Sequence, residues 1–272
     1  MKSPFPYLLA AMVLVSPTLK AELPALDEKP WFGYFIGVSE RKFQFGITDK
    51  GEAILQPLNS RGEILSLFNP IKFDIEILEA TPNGKDVSKQ IISGSLESDS
   101  PATLDPSKPI VYRGKVTGDA AFQVAFLPER GGFSVTGKIT DNGSLKNPLR
   151  FSIALRFDPY AKTKLDSPKK EEEHEKKIKR DTLSFTTKGG EREKFKLTES
   201  VSLSEKFPDG CSELSFEAEG YDGTEFTVAA SGESKIVLES KSTEALWHGI
   251  ELRWEMSAAA DPATEKLIFT AK

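Results

Sequence analysis

The sequence predicts an all-β protein: two antiparallel β-sandwich-like domains joined by a short charged linker of helical pattern. Three observations carry that prediction. Apolar and polar residues alternate with period two along much of the chain, as in Ile71-Lys72-Phe73-Asp74-Ile75-Glu76-Ile77. Turn signals rich in Gly, Asn, Asp and Pro separate these stretches, and no long helical pattern lies between them. The alternation is interrupted at Ala161 by a run of almost purely charged residues, which divides the chain into 32–160, 161–180 and 181–272.

The chain opens with Lys2, an apolar run of eleven residues from Phe5 to Val15, then Ser16-Pro17 and the small residue Ala21. A positive start, a short apolar core and a small residue form a secretory signal over residues 1–21, with cleavage expected after Ala21. The run is too short for a permanent membrane helix, which needs about 20 residues. No cysteine near position 21 offers a site for lipid attachment. Export to a periplasm or to the outside is therefore expected, with no membrane span in the mature chain. Without residues 1–21, 34 basic residues face 41 acidic ones, a net charge of −7. Such a balance favours solubility and argues against nucleic acid as a partner.

Residues 22–31 read as an extended lead-in, and Trp31-Phe32-Gly33-Tyr34-Phe35 as an aromatic plug for one end of a sandwich. Strands are expected at Tyr34–Val38, Phe43–Thr48 and Glu52–Gln56, with Asp49-Lys50-Gly51 as a hairpin loop. The strand Ile71–Ile77 ends before the turn Thr81-Pro82-Asn83-Gly84. Ile110–Val116, Ala121–Leu127 and Phe133–Ile139 form a meander, and Leu149–Phe157 alternates like Ile71–Ile77. Strands so spaced, without helices between them, predict an antiparallel sandwich or barrel. An outer-membrane barrel would need an outward apolar band with aromatic girdles, and no ordered girdle is visible.

In the linker, Ser167 and Pro168 suit a helix cap and first helical position. Glu172–Lys176, Glu173–Lys177 and Glu175–Lys179 have the favourable i,i+4 order. With no apolar face, this segment reads as a solvated spacer. Beyond it, strands are expected at Thr182–Thr187, Phe195–Leu203, Glu213–Glu219, Glu225–Ala229, Lys235–Glu239, Leu246–Met256 and Lys266–Thr270. Seven short strands match an immunoglobulin-like sandwich in size, although its paired cysteines are absent.

Chemistry-bearing residues are sparse. Cys211, the sole cysteine, follows the turn Pro208-Asp209-Gly210 and reads as a buried, idle thiol. Of two histidines, His174 falls in the spacer, where nothing would hold or desolvate it. His248 falls in the expected strand Leu246–Met256, on the face of Ile250, Leu252, Trp254 and Met256, and reads as a neutral core residue. No G-x-S-x-G elbow, zinc-ligand spacing or phosphate-cradling glycine loop appears, so no catalytic, metal or cofactor residue is assigned. Glu217, Glu219 and Asp222 cluster near one turn, and Glu251 and Glu255 share a strand face. These acids read as ordinary wet-face residues, and a glycosidase pair is the sharper alternative. Trp247, opposite Trp254 by strand parity, is the one candidate ligand-binding residue: an exposed indole beside Glu251 and Arg253 can stack on a sugar ring. These residues predict an exported, soluble, non-catalytic binding or scaffolding protein with a protein or glycan partner. The alternative is a carbohydrate-binding or glycoside-hydrolysing β-sandwich module.

Overall fold

The computed structural model describes residues 34–48, 53–65, 71–98, 109–161, 166–239, 244–256 and 264–272. The signal-like segment, the lead-in, Trp31 and the loop Asp49-Lys50-Gly51 lie outside the described residues. The described residues form two antiparallel sheets. One has eight strands, in the order β1 (Tyr34–Ser39), β2 (Phe43–Thr48), β3 (Ala53–Pro57), β4 (Ile71–Ala80), β10 (Leu149–Phe157), β16 (Ile250–Glu255) and β15 (Lys235–Leu238). The eighth, β5 (Asp86–Lys89), pairs with the far part of β4. The other sheet has nine strands, in the order β12 (Arg192–Lys196), β11 (Thr182–Thr186), β13 (Glu213–Glu217), β14 (Glu225–Ala230), β17 (Leu267–Ala271), β9 (Gly132–Asp141), β8 (Ala121–Glu129), β7 (Ile110–Lys115) and β6 (Glu97–Ser98).

The all-β, two-sheet architecture follows the alternation in the sequence. In β4, Ile71, Phe73, Ile75 and Ile77 are buried, while Lys72 and Asp74 face water. Phenylalanines from both sheets then meet in one core. Phe45 of β2 stacks on Phe133 of β9 at 4.8 Å, and Phe157 of β10 stacks on Phe216 of β13 at 5.1 Å. Offset and edge-on ring pairs of this kind add to the hydrophobic gain from burial.

The two halves of the sequence share both sheets, a feature that strand patterns alone did not convey. β10 pairs with β16 over six residue pairs, from Ser152–Glu255 to Phe157–Ile250. In the opposite sheet β9 pairs with β17, from Val135–Leu267 to Gly132–Thr270. Residues 181–272 thus place β15 and β16 in one sheet and β11–β14 and β17 in the other, and each group extends a sheet begun before Ala161. The physical reason is the sheet edge. The free N–H and C=O groups of β9 and β10 would invite other strands, and pairing within the chain satisfies them. Gly132 permits the second junction, because a Cβ there would lie 2.0 Å from the carbonyl oxygen of Phe269.

Two expected strands depart from the observed ones by more than their ends. The stretch Phe195–Leu203 is strand only to Lys196; Glu199 N–H then donates to the Lys196 carbonyl, and helix α2 (Leu203–Lys206) follows. Leu197 and Leu203 are fully buried without being in a strand, which explains the strand-like pattern. The stretch Leu246–Met256 starts instead as a 3-10 turn, Leu246–His248. Gly249, at φ 123°, then redirects the chain into β16. Helix α1 (Pro168–Lys177) forms where the charged run predicts it, with Ser167 at the N-cap and Pro168 in the first turn. The pairs Lys176–Glu172 (2.6 Å) and Lys170–Asp166 (2.7 Å) line its surface.

Candidate functional site

Two arrangements concentrate the polar chemistry of the described residues. The first is the junction around Trp247. Leu246 N–H and Trp247 N–H donate to the carbonyls of Glu199 and Leu197, which fixes the 3-10 turn against the loop after β12. The Trp247 indole is then only 4% exposed, so the strand-parity expectation of an open stacking platform does not hold. Parity fails because Trp247 precedes Gly249 and is not in the strand that carries Trp254. His248 also lies in this turn, stacked on Trp247 at 3.6 Å, with Nδ1 3.8 Å from Glu244.

His174 is held after all. Its ring sits 5.0 Å from Trp247 and 4.7 Å from Tyr160, steeply tilted to both. Burial, followed by the charge of Lys177, pushes its pKa below the ordinary histidine value. Ile178, at the end of α1, is buried as well. The expected free spacer is therefore a docked helix, since one imidazole and one isoleucine supply the contact that the charged residues cannot.

Beneath this layer, the Tyr160 hydroxyl donates to the Asp181 carboxylate and accepts from Gly220 N–H at 3.1 Å. Asp181 also accepts from Glu219 N–H at 3.2 Å. Burial raises the Asp181 pKa, against the lowering effect of these two bonds; burial and the neighbouring carboxylate raise that of Tyr160. Asp158 N–H donates to the Tyr221 hydroxyl at 3.0 Å. These bonds tie the segment after β10 to the 3-10 turn Glu219–Tyr221, so the tyrosines and Asp181 connect one half of the chain to the other.

The second arrangement is the outer face of the eight-stranded sheet. Register sets three rows across neighbouring strands: Lys72, Arg156 and Glu251; Asp74, Ala154 and Arg253; and Glu76, Ser152, Glu255 and Lys235. Arg253 is central, with Nε 3.1 Å from Glu76 and a terminal guanidinium nitrogen 2.8 Å from Glu239. Arg156 bridges Glu251 and Asp158, the latter at 3.3 Å. Lys235 lies 3.9 Å from Glu255. Burial raises the Glu239 pKa, and Arg253 opposes that rise. Sequence reasoning placed Glu251 with Glu255 and with Arg253 but did not join Glu76 or Glu239 to them. Only the pairing of β4, β10, β16 and β15 brings them to one surface.

The remaining candidates have structural partners. Asp222, in a left-handed backbone conformation, accepts from Ser60 N–H at 3.1 Å and so anchors a loop of the other half. Glu217 is exposed at the end of β13. Cys211 is a buried free thiol whose backbone exchanges two hydrogen bonds with Ile236, and burial pushes its pKa up to about 12. Among the described residues, no three His, Cys, Asp or Glu side chains group so as to hold a metal ion. No described helix is long and apolar enough to cross a membrane.

No protein-family model matches the chain, and no curated protein matches it. Among solved structures, the Slr1438 protein from Synechocystis sp. PCC 6803 is similar, with a TM-score of 0.45 and 12% identity, over 87% of this chain and 94% of that one.

Proposed function

We propose that this chain is an exported, non-catalytic binding or scaffolding protein whose contact surface is the charged outer face of the eight-stranded sheet. The observation that supports the contact surface is the lattice around Arg253. Side chains of both signs, presented by four hydrogen-bonded strands, are held by mutual ion pairs on a stiff platform. Around Arg253, the pairs Arg156–Glu251 and Lys235–Glu255 are partly open to solvent and contribute only about 0–1 kcal/mol each to folding, so stability alone does not account for them. Preordered charges do serve recognition, because complementary patterns steer encounter and set register with a protein partner. Export is inferred from the pattern of residues 1–21.

The test is a photo-crosslinking residue at Glu251, on this face, and another at Arg113, on β7 of the opposite sheet, in the full-length chain made in its own host. A discrete, salt-sensitive adduct from position 251 and none from 113 is expected. Equal labelling from both positions, or none from 251, refutes the surface. N-terminal sequencing of the same material tests export: a mature start at Glu22 is expected, and a retained Met1 refutes it.

A further inference from the structure

We propose that helix α1 is a proton-operated latch: protonation of His174 releases the helix from Trp247 and Tyr160 in mildly acidic solution while both sheets stay folded. The argument starts from how little holds the helix. None of its ten residues is fully buried, and its side chains otherwise point to solvent, apart from partial cover of Glu175. Its docking therefore rests on the His174 ring, together with Ile178 just past its end. That ring enters a slot walled by Tyr160 at 4.7 Å and Trp247 at 5.0 Å. The slot suits a neutral ring. His174 Nε2 and Trp247 Nε1 are both enclosed and have no hydrogen-bond partner among the described residues. The hydroxyl of Tyr160 is already committed to Asp181.

A proton on His174 Nε2 places an N–H in this enclosure with no acceptor for it among the described residues. The charged groups facing the ring divide in sign. Lys177 on the helix and His248 on the 3-10 turn oppose the charge, whereas Glu175 on the helix and Glu219 beyond β13 favour it. Asp181 lies behind Tyr160, and Glu244 is drawn to His248. Burial outweighs the two glutamates, so the undocked helix binds the proton more tightly than the docked one.

The sign of the pH effect follows. As pH falls below the ordinary histidine value of about 6.5, the ratio of undocked to docked helix rises, by up to about tenfold per pH unit, and levels off below the docked value. Undocking also uncovers the side of the Trp247 indole that His174 shields.

The experiment is NMR of the full chain carrying labelled histidine, titrated from pH 8 to pH 4.5. At pH 8 the His174 ring proton should be shifted by the adjacent Tyr160 and Trp247 rings. It should lose that shift with a midpoint below about 6.5, together with changes in the α1 amides and the Trp247 indole N–H, while β4 and β10 amides stay in place. His174→Phe should keep α1 docked throughout, and His248→Gln should keep the transition. The proposal is overturned by a midpoint at or above that value, by no ring shift at pH 8, or by α1 amides that titrate unchanged in His174→Phe.

Discussion

Phe133 sits where the two sheets and the two halves of the chain meet, so its removal tests the continuity of the core. It is fully buried on β9, and its ring lies within 6 Å of Phe43 (5.9 Å), Phe45 (4.8 Å), Phe73 (5.8 Å), Phe126 (5.8 Å) and Phe269 (5.4 Å). Phe43, Phe45 and Phe73 belong to the other sheet, and Phe269 comes from β17 at the far end of the sequence. Phe133→Ala removes a phenyl group and leaves a cavity on the order of 80 Å³ before relaxation. At about 24 cal/mol per Å³ that cavity costs ~2 kcal/mol, and lost transfer energy adds ~2 kcal/mol. The expected loss is therefore about 4 kcal/mol, a large share of the ~5–15 kcal/mol that stabilises a typical domain. The assay is urea unfolding, followed by far-UV circular dichroism and by tryptophan fluorescence, which reports partly from Trp254, fully buried in the eight-stranded sheet. With a urea dependence of about 3 kcal/mol per M, the midpoint should fall by ~1.3 M, with the two probes still coincident. A shift under ~0.3 M, or a curve that splits so that Trp254 reports a separate transition, would refute a core continuous across both sheets.

Other substitutions test the junctions. Gly132→Ala should destabilise by about 3 kcal/mol or more, because the new methyl meets the Phe269 carbonyl oxygen; weakened amide protection in β9 and β17, measured by hydrogen exchange, checks it. Tyr221→Phe leaves the Asp158 N–H without its acceptor and should cost about 1–3 kcal/mol in urea unfolding. Asp181 provides a pH test. Its native pKa lies above the unfolded value of 3.8, so the native state holds the proton more tightly, and this group's contribution to stability falls as pH rises from 3.8 through the native value. Asp181→Asn should therefore flatten the fall in urea midpoint over that window, and an unchanged pH profile would count against the assignment. Made separately, residues 22–160 and 181–272 should show no cooperative unfolding, because each piece bares the strand edges joined at β10–β16 and β9–β17; a dispersed amide spectrum from either piece would contradict this.

The amino-acid sequence by itself determined the β character of this protein, the approximate extent of strands such as Ile71–Ala80 and Leu149–Phe157, and helix α1. Each of these depends on local information: side-chain period, turn residues, and i,i+4 charge order. Local patterns do not reveal which strand lies beside which. Tertiary structure alone decided that β10 pairs with β16, and that pairing assembled Glu76, Glu239 and Arg253 into one charged platform. Trp247 shows the same limit at a single residue. Parity with Trp254 predicts exposure, but Gly249 breaks the count, and the indole is enclosed by segments distant in sequence, the loop after β12 and the His174 ring. Whether a polar or aromatic group meets water depends on the surface packed over it, and that surface exists only once the two sheets and α1 have come together.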